Sequence, residues 1–228
     1  MRYLYKLLLL GLLSFPVVVK GQVSQKAREI LQQSIKAQGG EAKLRDVRSL
    51  ELQTRSDFNG KTIFSIFKKQ APDKMRVEIH TLDGRVLKIY NAGKGYSLMN
   101  GKKEELSKND LQDMREEARI FPELYFEQEG YQMTSLGERE YAKGSVETKL
   151  VSPSGNVRYY YFDKDSHFLT KIIDEQTQTT TLLDKYKAFG GIYFPTRLTL
   201  RFGSGEMVLQ VLNVELNRSI PETDFSVE

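Results

Sequence analysis

The chain has 228 residues, 39% of them hydrophobic and 28% charged, with 12 Tyr, 12 Phe, no Trp and no Cys. This is a globular composition, and a chain of this length removes roughly 70% of its unfolded surface from water, so it needs no metal or disulfide staple. The missing cysteines exclude disulfides, thiolate metal sites, a cysteine nucleophile and a lipid-modified N-terminal Cys. Met1 to Gly21 reads as a secretory signal: Arg2 and Lys6 precede an apolar run from Leu7 to Val19, and Val19-Lys20-Gly21 precedes a cut before Gln22. That run is 13 residues long, short of the ~20 a spanning helix needs. The 34 basic and 30 acidic side chains give +4, but Arg2, Lys6 and Lys20 leave with the signal, so 31 face 30 and the mature chain carries +1. A nearly neutral protein has no electrostatic footprint for nucleic acid.

Residues 22–228 read as one domain. Ala27, Ile30, Leu31, Ile35 and Leu44 recur at helical spacing over Gln22–Lys43, with Ser24 as N-cap and a pause at Gly39-Gly40. From Arg48 the period becomes two. Leu50, Leu52, Thr54, Ser56 and Phe58 alternate with Glu51, Gln53, Arg55 and Asp57, and Asn59-Gly60 is a hairpin signal. Thr62, Phe64 and Ile66 resume the alternation up to Pro72-Asp73, and Met75, Val77 and Ile79 follow up to Asp83-Gly84. Arg85–Asn91 and Lys94–Asn100 form the next pair. A helix then interrupts, capped by Ser107 with Asp110, and places Leu111, Met114, Ala118 and Phe121 on one face before Pro122. Strands return from about Tyr131 to Leu216. The expectation is a mainly β protein, an antiparallel sheet of about eleven strands curled into a half-open barrel with two helical segments over its mouth.

The chemical inventory is thin. His80 and His167 are the only histidines, neither sits in a metal-binding spacing, and no nucleophile elbow, phosphate loop or dinucleotide motif occurs. Asp163-Lys164-Asp165-Ser166-His167 faintly echoes a calcium loop but has Phe168 where the glycine belongs, and reads better as a polar hairpin turn. Asn217-Arg218-Ser219 fits a glycosylation sequon. No catalytic residue, metal site or cofactor is expected. What remains is apolar: Met75, Met99, Met114, Met133 and Met207 spread through strands and helix, adaptable side chains that either fill the core or line a cavity for varied acyl chains.

The order of parts resembles the LolA-like outer-membrane lipoprotein-sorting proteins. The resemblance rests on Ala37-Gln38-Gly39-Gly40 running into Leu44-Arg45-Asp46-Val47, on Tyr159-Tyr160-Tyr161-Phe162-Asp163 followed by Leu169-Thr170-Lys171, on Gly190-Gly191-Ile192-Tyr193-Phe194-Pro195-Thr196, and on Val214-Glu215-Leu216-Asn217 followed by Ile220-Pro221-Glu222-Thr223-Asp224-Phe225. It implies a periplasmic, non-enzymatic carrier that is not itself lipidated. Such a carrier collects acylated lipoprotein or lipid cargo from an inner-membrane export complex and hands it to an outer-membrane acceptor, working as a monomer. It also implies a strand arginine that holds a lid closed, for which Arg55 and Arg76 are candidates by their place on early strands, a surface role being the favoured reading for both. The expected ligand-binding residues are Phe64, Ile66, Met75, Val77, Ile79, Leu198 and Leu200 on strands, with Leu111, Met114 and Phe121 on the mid-chain helix. A sensor or binding module on the same scaffold, and more remotely an exported hydrolase, are the other readings.

Overall fold

A computed structural model describes residues 23–58, 60–82, 84–203 and 205–226; the segment expected to be a secretory signal and the expected turn residues Asn59 and Asp83 lie outside the described residues. The described residues open with α1 (Gln25–Gln38) and α2 (Glu41–Asp46), separated by Gly39-Gly40. Ser24 Oγ accepts the Ala27 N–H, as a helix N-cap should. Gly39 ends α1 at φ +142, and a Cβ there would meet the Gly191 carbonyl oxygen at 2.7 Å, so this close approach requires glycine.

Thirteen strands follow: β1 (Ser49–Phe58), β2 (Lys61–Gln70), β3 (Lys74–Thr81), β4 (Gly84–Asn91), β5 (Lys94–Met99), β6 (Lys102–Glu105), then after α3 (Lys108–Ala118) β7 (Gln132–Glu138), β8 (Ser145–Val151), β9 (Val157–Asp163), β10 (Leu169–Asp174), β11 (Thr179–Phe189), β12 (Ile192–Phe202) and β13 (Gly205–Leu216). They form one antiparallel sheet in the order β6-β5-β4-β3-β2-β1-β13-β12-β11-β10-β9-β8-β7. The sheet is unclosed, with β6 and β7 at its ends. Two consecutive meanders, β1–β6 and β7–β13, meet along the β1–β13 ladder, where Leu50 stands opposite Leu216 and a bulge falls between Gln53 and Thr54. The strand count exceeds the expected eleven chiefly because Lys102-Lys103-Glu104-Glu105 forms a strand with no apolar alternation to announce it.

Among the described residues the three α-helices pack on one face of the sheet, the inner face. Ala27 and Ile30 of α1 join Met133, Leu150 and Phe162 in one buried cluster. Leu44 of α2 joins Val47, Phe121, Leu124 and Ile192 in a second. Met114 and Ala118 of α3 join Met75, Val77 and Tyr90 in a third. The opposite, outer face of β2–β4 is covered by the C-terminal turn Glu222–Phe225. There Lys68 pairs with Asp224 at 2.8 Å, Lys74 pairs with Glu222 at 2.6 Å, and Phe225 is fully buried.

Candidate ligand-binding trough on the inner face

Register decides which side chains share the inner face. Across five strands, Ile63, Ser56, Leu209, Leu198 and Leu183 stand opposite one another in a row. A second row sets Met207 beside Leu200 and Leu200 beside Thr181, which adjoins Ile172 and then Tyr160. Thr54, Ser56 and Ser65 are buried between larger neighbours, so small residues form the low part of this floor. Leu52, Leu183, Leu198, Leu200, Leu209 and Val211 are half-buried and belong to none of the three buried clusters. The helices cover the two flanks of the inner face and leave this apolar strip uncovered.

Beside the strip lies a cavity of ≈ 540 Å³ between α3 and strands β9–β11, lined among others by Lys69, Glu117, Arg158, Tyr160, Ile172 and Thr181. Its lining mixes charged and apolar groups. Arg158 on β9 donates from Nε to Asp174 at 2.7 Å and from Nη1 to Glu116 of α3 at 3.2 Å. Burial works against both ions of the Arg158–Asp174 pair, but each holds the other charged: the guanidinium is raised and the carboxylate lowered from its ordinary value. Burial pushes the Tyr160 hydroxyl up to about 12. Burial also lowers the Lys69 ammonium, against the pull of Glu117 and Glu123, and raises the Glu123 carboxyl. Lys69 Nζ donates to the Arg119 carbonyl at 3.2 Å.

The expected site residues separate. Met75, Val77 and Ile79 face inward; Met75 and Val77 lie under α3 with Met114 and Leu111 packed on them. Leu198 and Leu200 lie on the uncovered strip. Phe64 and Ile66 point to the outer face, because β2 pairs Phe67 with Val77 and Ser65 with Ile79. Phe67, not Ile66, is the inward neighbour of the β3 residues. Phe121 is not on the mid-chain helix, which ends at Ala118; it caps the following turn Pro122–Leu124 and packs with α2 instead. Arg55 and Arg76 also lie on the outer face, where Arg76 pairs with Glu78 and donates to the Asp224 carbonyl of the 3-10 turn Glu222–Phe225, away from α1–α3 on the inner face. The arginine that ties α3 to the sheet is Arg158.

Other sequence features resolve into local structure. Asp163 Oδ1 accepts the N–H groups of Asp165 and Ser166 and the Ser166 hydroxyl, closing a polar turn. Among the described residues no group of three or more His, Asp or Glu is placed to hold a metal ion. Asn217 accepts the Arg48 N–H at 2.6 Å and donates to the Asp46 carbonyl, so both ends of its amide are engaged in joining β13 to α2 and β1.

No family model and no curated protein matches the sequence. Solved structures do match. A LolA superfamily protein from Nitrosomonas europaea superposes with a TM-score of 0.60 at 15% identity, over 88% of this chain and 97% of that one. A DUF1329 family protein from Desulfovibrio piger superposes with a TM-score of 0.58 at 10% identity, again over 88% and 97%. Identities this low speak to fold alone. The unclosed antiparallel sheet, with α1–α3 on its inner face, and these near-complete superpositions show that the fold is LolA-like.

Proposed function

We propose that this protein is exported to the periplasm, binds acyl chains of lipoproteins or related lipids in the inner-face trough, and ferries them towards the outer membrane without covalent chemistry. One observation carries the reading: the apolar strip around Leu198, Leu200, Leu209 and Leu183 is left uncovered by the helices that pack on either side of it. Each methylene laid on such a surface contributes ~0.8 kcal/mol, so part of one chain suffices for useful affinity, and an open trough still allows release. The signal-like segment Arg2–Val19 supports export.

The test is native mass spectrometry of the mature protein purified from the periplasm without detergent, before and after organic extraction. A co-purifying acylated species, lost on extraction, is the expected result. In the double variant Leu198→Asp, Leu200→Asp that species should fall at least tenfold with the circular dichroism spectrum unchanged, because two carboxylates on the floor oppose hydrocarbon. A clean apo mass together with no uptake of added hexadecanol would sink the reading. Delivery of bound cargo to acceptor vesicles separates a carrier from a sensor that only binds.

A further inference from the structure

Lys69 is the odd charge of the inner face. It sits on β2 between two core residues, opposite Leu50 on β1 and Met75 on β3, which are 5% and 1% exposed. The preceding residue, Lys68, faces outward and pairs with Asp224. Within the cavity, Arg158 is neutralised by Glu116 and Asp174, and Arg119 by Glu129 at 2.6 Å. Lys69 has only a backbone carbonyl as a partner and no carboxylate within ion-pair distance among the described residues. An ammonium has three donors, so two remain for the cavity. The nearby acids act on Lys69 only across space: Asp113 and Glu117 line the same cavity from the exposed side of α3, burial raises the Glu117 and Glu123 carboxyls, and neither carboxylate comes into contact with Nζ. A half-buried cation with no carboxylate in direct contact is costly, and an incoming anion that reaches Nζ relieves that cost.

The surroundings define the ligand further. Two residues along β2 from Lys69 is Phe67, which faces Leu52, and from there the floor continues through Thr54 and Ser56 to Leu209 and Leu198. A chain leaving Lys69 therefore runs onto the apolar strip. We propose that Lys69 is the subsite for the oxyanion head, carboxylate or phosphate ester, of an amphiphile whose hydrocarbon chain lies along the trough. This rests on the acyl-binding reading above and adds the head-group chemistry to it. The oxyanion accepts charge-assisted hydrogen bonds from Nζ while the chain covers the strip.

Matched probes of equal chain length test it: palmitate, hexadecyl phosphate, hexadecanol and hexadecylamine, each competing at neutral pH with bound N-phenyl-1-naphthylamine on the full mature protein. Palmitate or hexadecyl phosphate should compete at about tenfold lower concentration than hexadecanol, equivalent to ~1.4 kcal/mol, and hexadecylamine more weakly than hexadecanol. The ratio of palmitate to phosphate distinguishes the two head-group sources. Lys69→Met should abolish the preference and leave hexadecanol unchanged, while Lys69→Arg should retain it. Equal competition by anion and alcohol in the wild type, or a preference that survives Lys69→Met, overturns the head subsite and leaves the acyl-binding reading standing. Failure of all four probes to compete overturns both.

Discussion

Glu123 shows how a single side chain under the helices sets a pH response. It is half-buried beside Gln38, whose buried Oε1 has no hydrogen-bond partner in the fold. Desolvation raises its carboxyl above the ordinary 4.5, against its own backbone N–H, the Gln38 side chain and the Lys69 charge, which all favour the ionised form. The folded state therefore binds this proton more tightly than the unfolded chain does. The resulting stability is fully present below the unfolded value and is lost as pH rises through the folded one. Glu123→Gln, neutral throughout, should melt about 2–4 °C above wild type at pH 8, and the difference should close as the pH is lowered towards 4. Parallel melting curves across that range would remove Glu123 as the source. Asp174 acts in the opposite sense, since Arg158 lowers its carboxyl despite burial, and its stabilisation is lost as pH falls.

Among the elements, α3 stands out because its attachment is divided. Met114, Ala118 and Leu111 anchor one side on β3 and β4, while the cavity side is held through Arg158 and Glu116. Arg158→Met removes the second attachment and leaves the first. Amide hydrogens of α3 should then exchange about tenfold faster, with those of β8 and β9 unaffected. Unchanged protection of α3 would mean that apolar packing alone holds the helix. The existence of α3, its Ser107 cap and its buried Met114 were legible in the sequence, because helical spacing and capping chemistry are local. The meander was legible for the same reason. What could not be read was the phase of one strand against its neighbour. The run Thr62-Ile63-Phe64-Ser65-Ile66-Phe67 puts large apolar residues on both faces of β2, so alternation alone cannot choose between Phe64 with Ile66 and Ile63 with Phe67. Lys68 and Lys69 pose the same ambiguity with charge: one finds Asp224 outside and the other the cavity inside, and nothing near them in sequence tells which. The outer apolar face of β4 was hidden for a related reason. Leu87 and Ile89 are buried on the side away from α3, where Phe225 also lies buried after crossing from the far end of the chain.

Across the whole molecule, contacts within each meander are short in sequence, while the β1–β13 ladder joins residues from opposite ends of the chain, such as Leu52 and Val214. That ladder is the sole strand pairing between the halves among the described residues. Its position has a kinetic consequence. Closing so large a loop costs entropy before any contact rewards it, so each meander should form first and the two should dock late. Val214→Ala, buried on the inner face of that junction, should destabilise by roughly 2 kcal/mol almost wholly through faster unfolding, with the refolding rate nearly unchanged. Leu150→Ala, inside the β7–β9 meander, should instead slow refolding. Stopped-flow chevrons of the two variants decide it, and a refolding arm slowed equally by both would place the junction in the nucleus. If the order holds, the folding chain passes through an interval in which both halves of the sheet exist but do not yet share an inner floor, so under the proposed function an acyl chain can be held only after the last ladder has zipped.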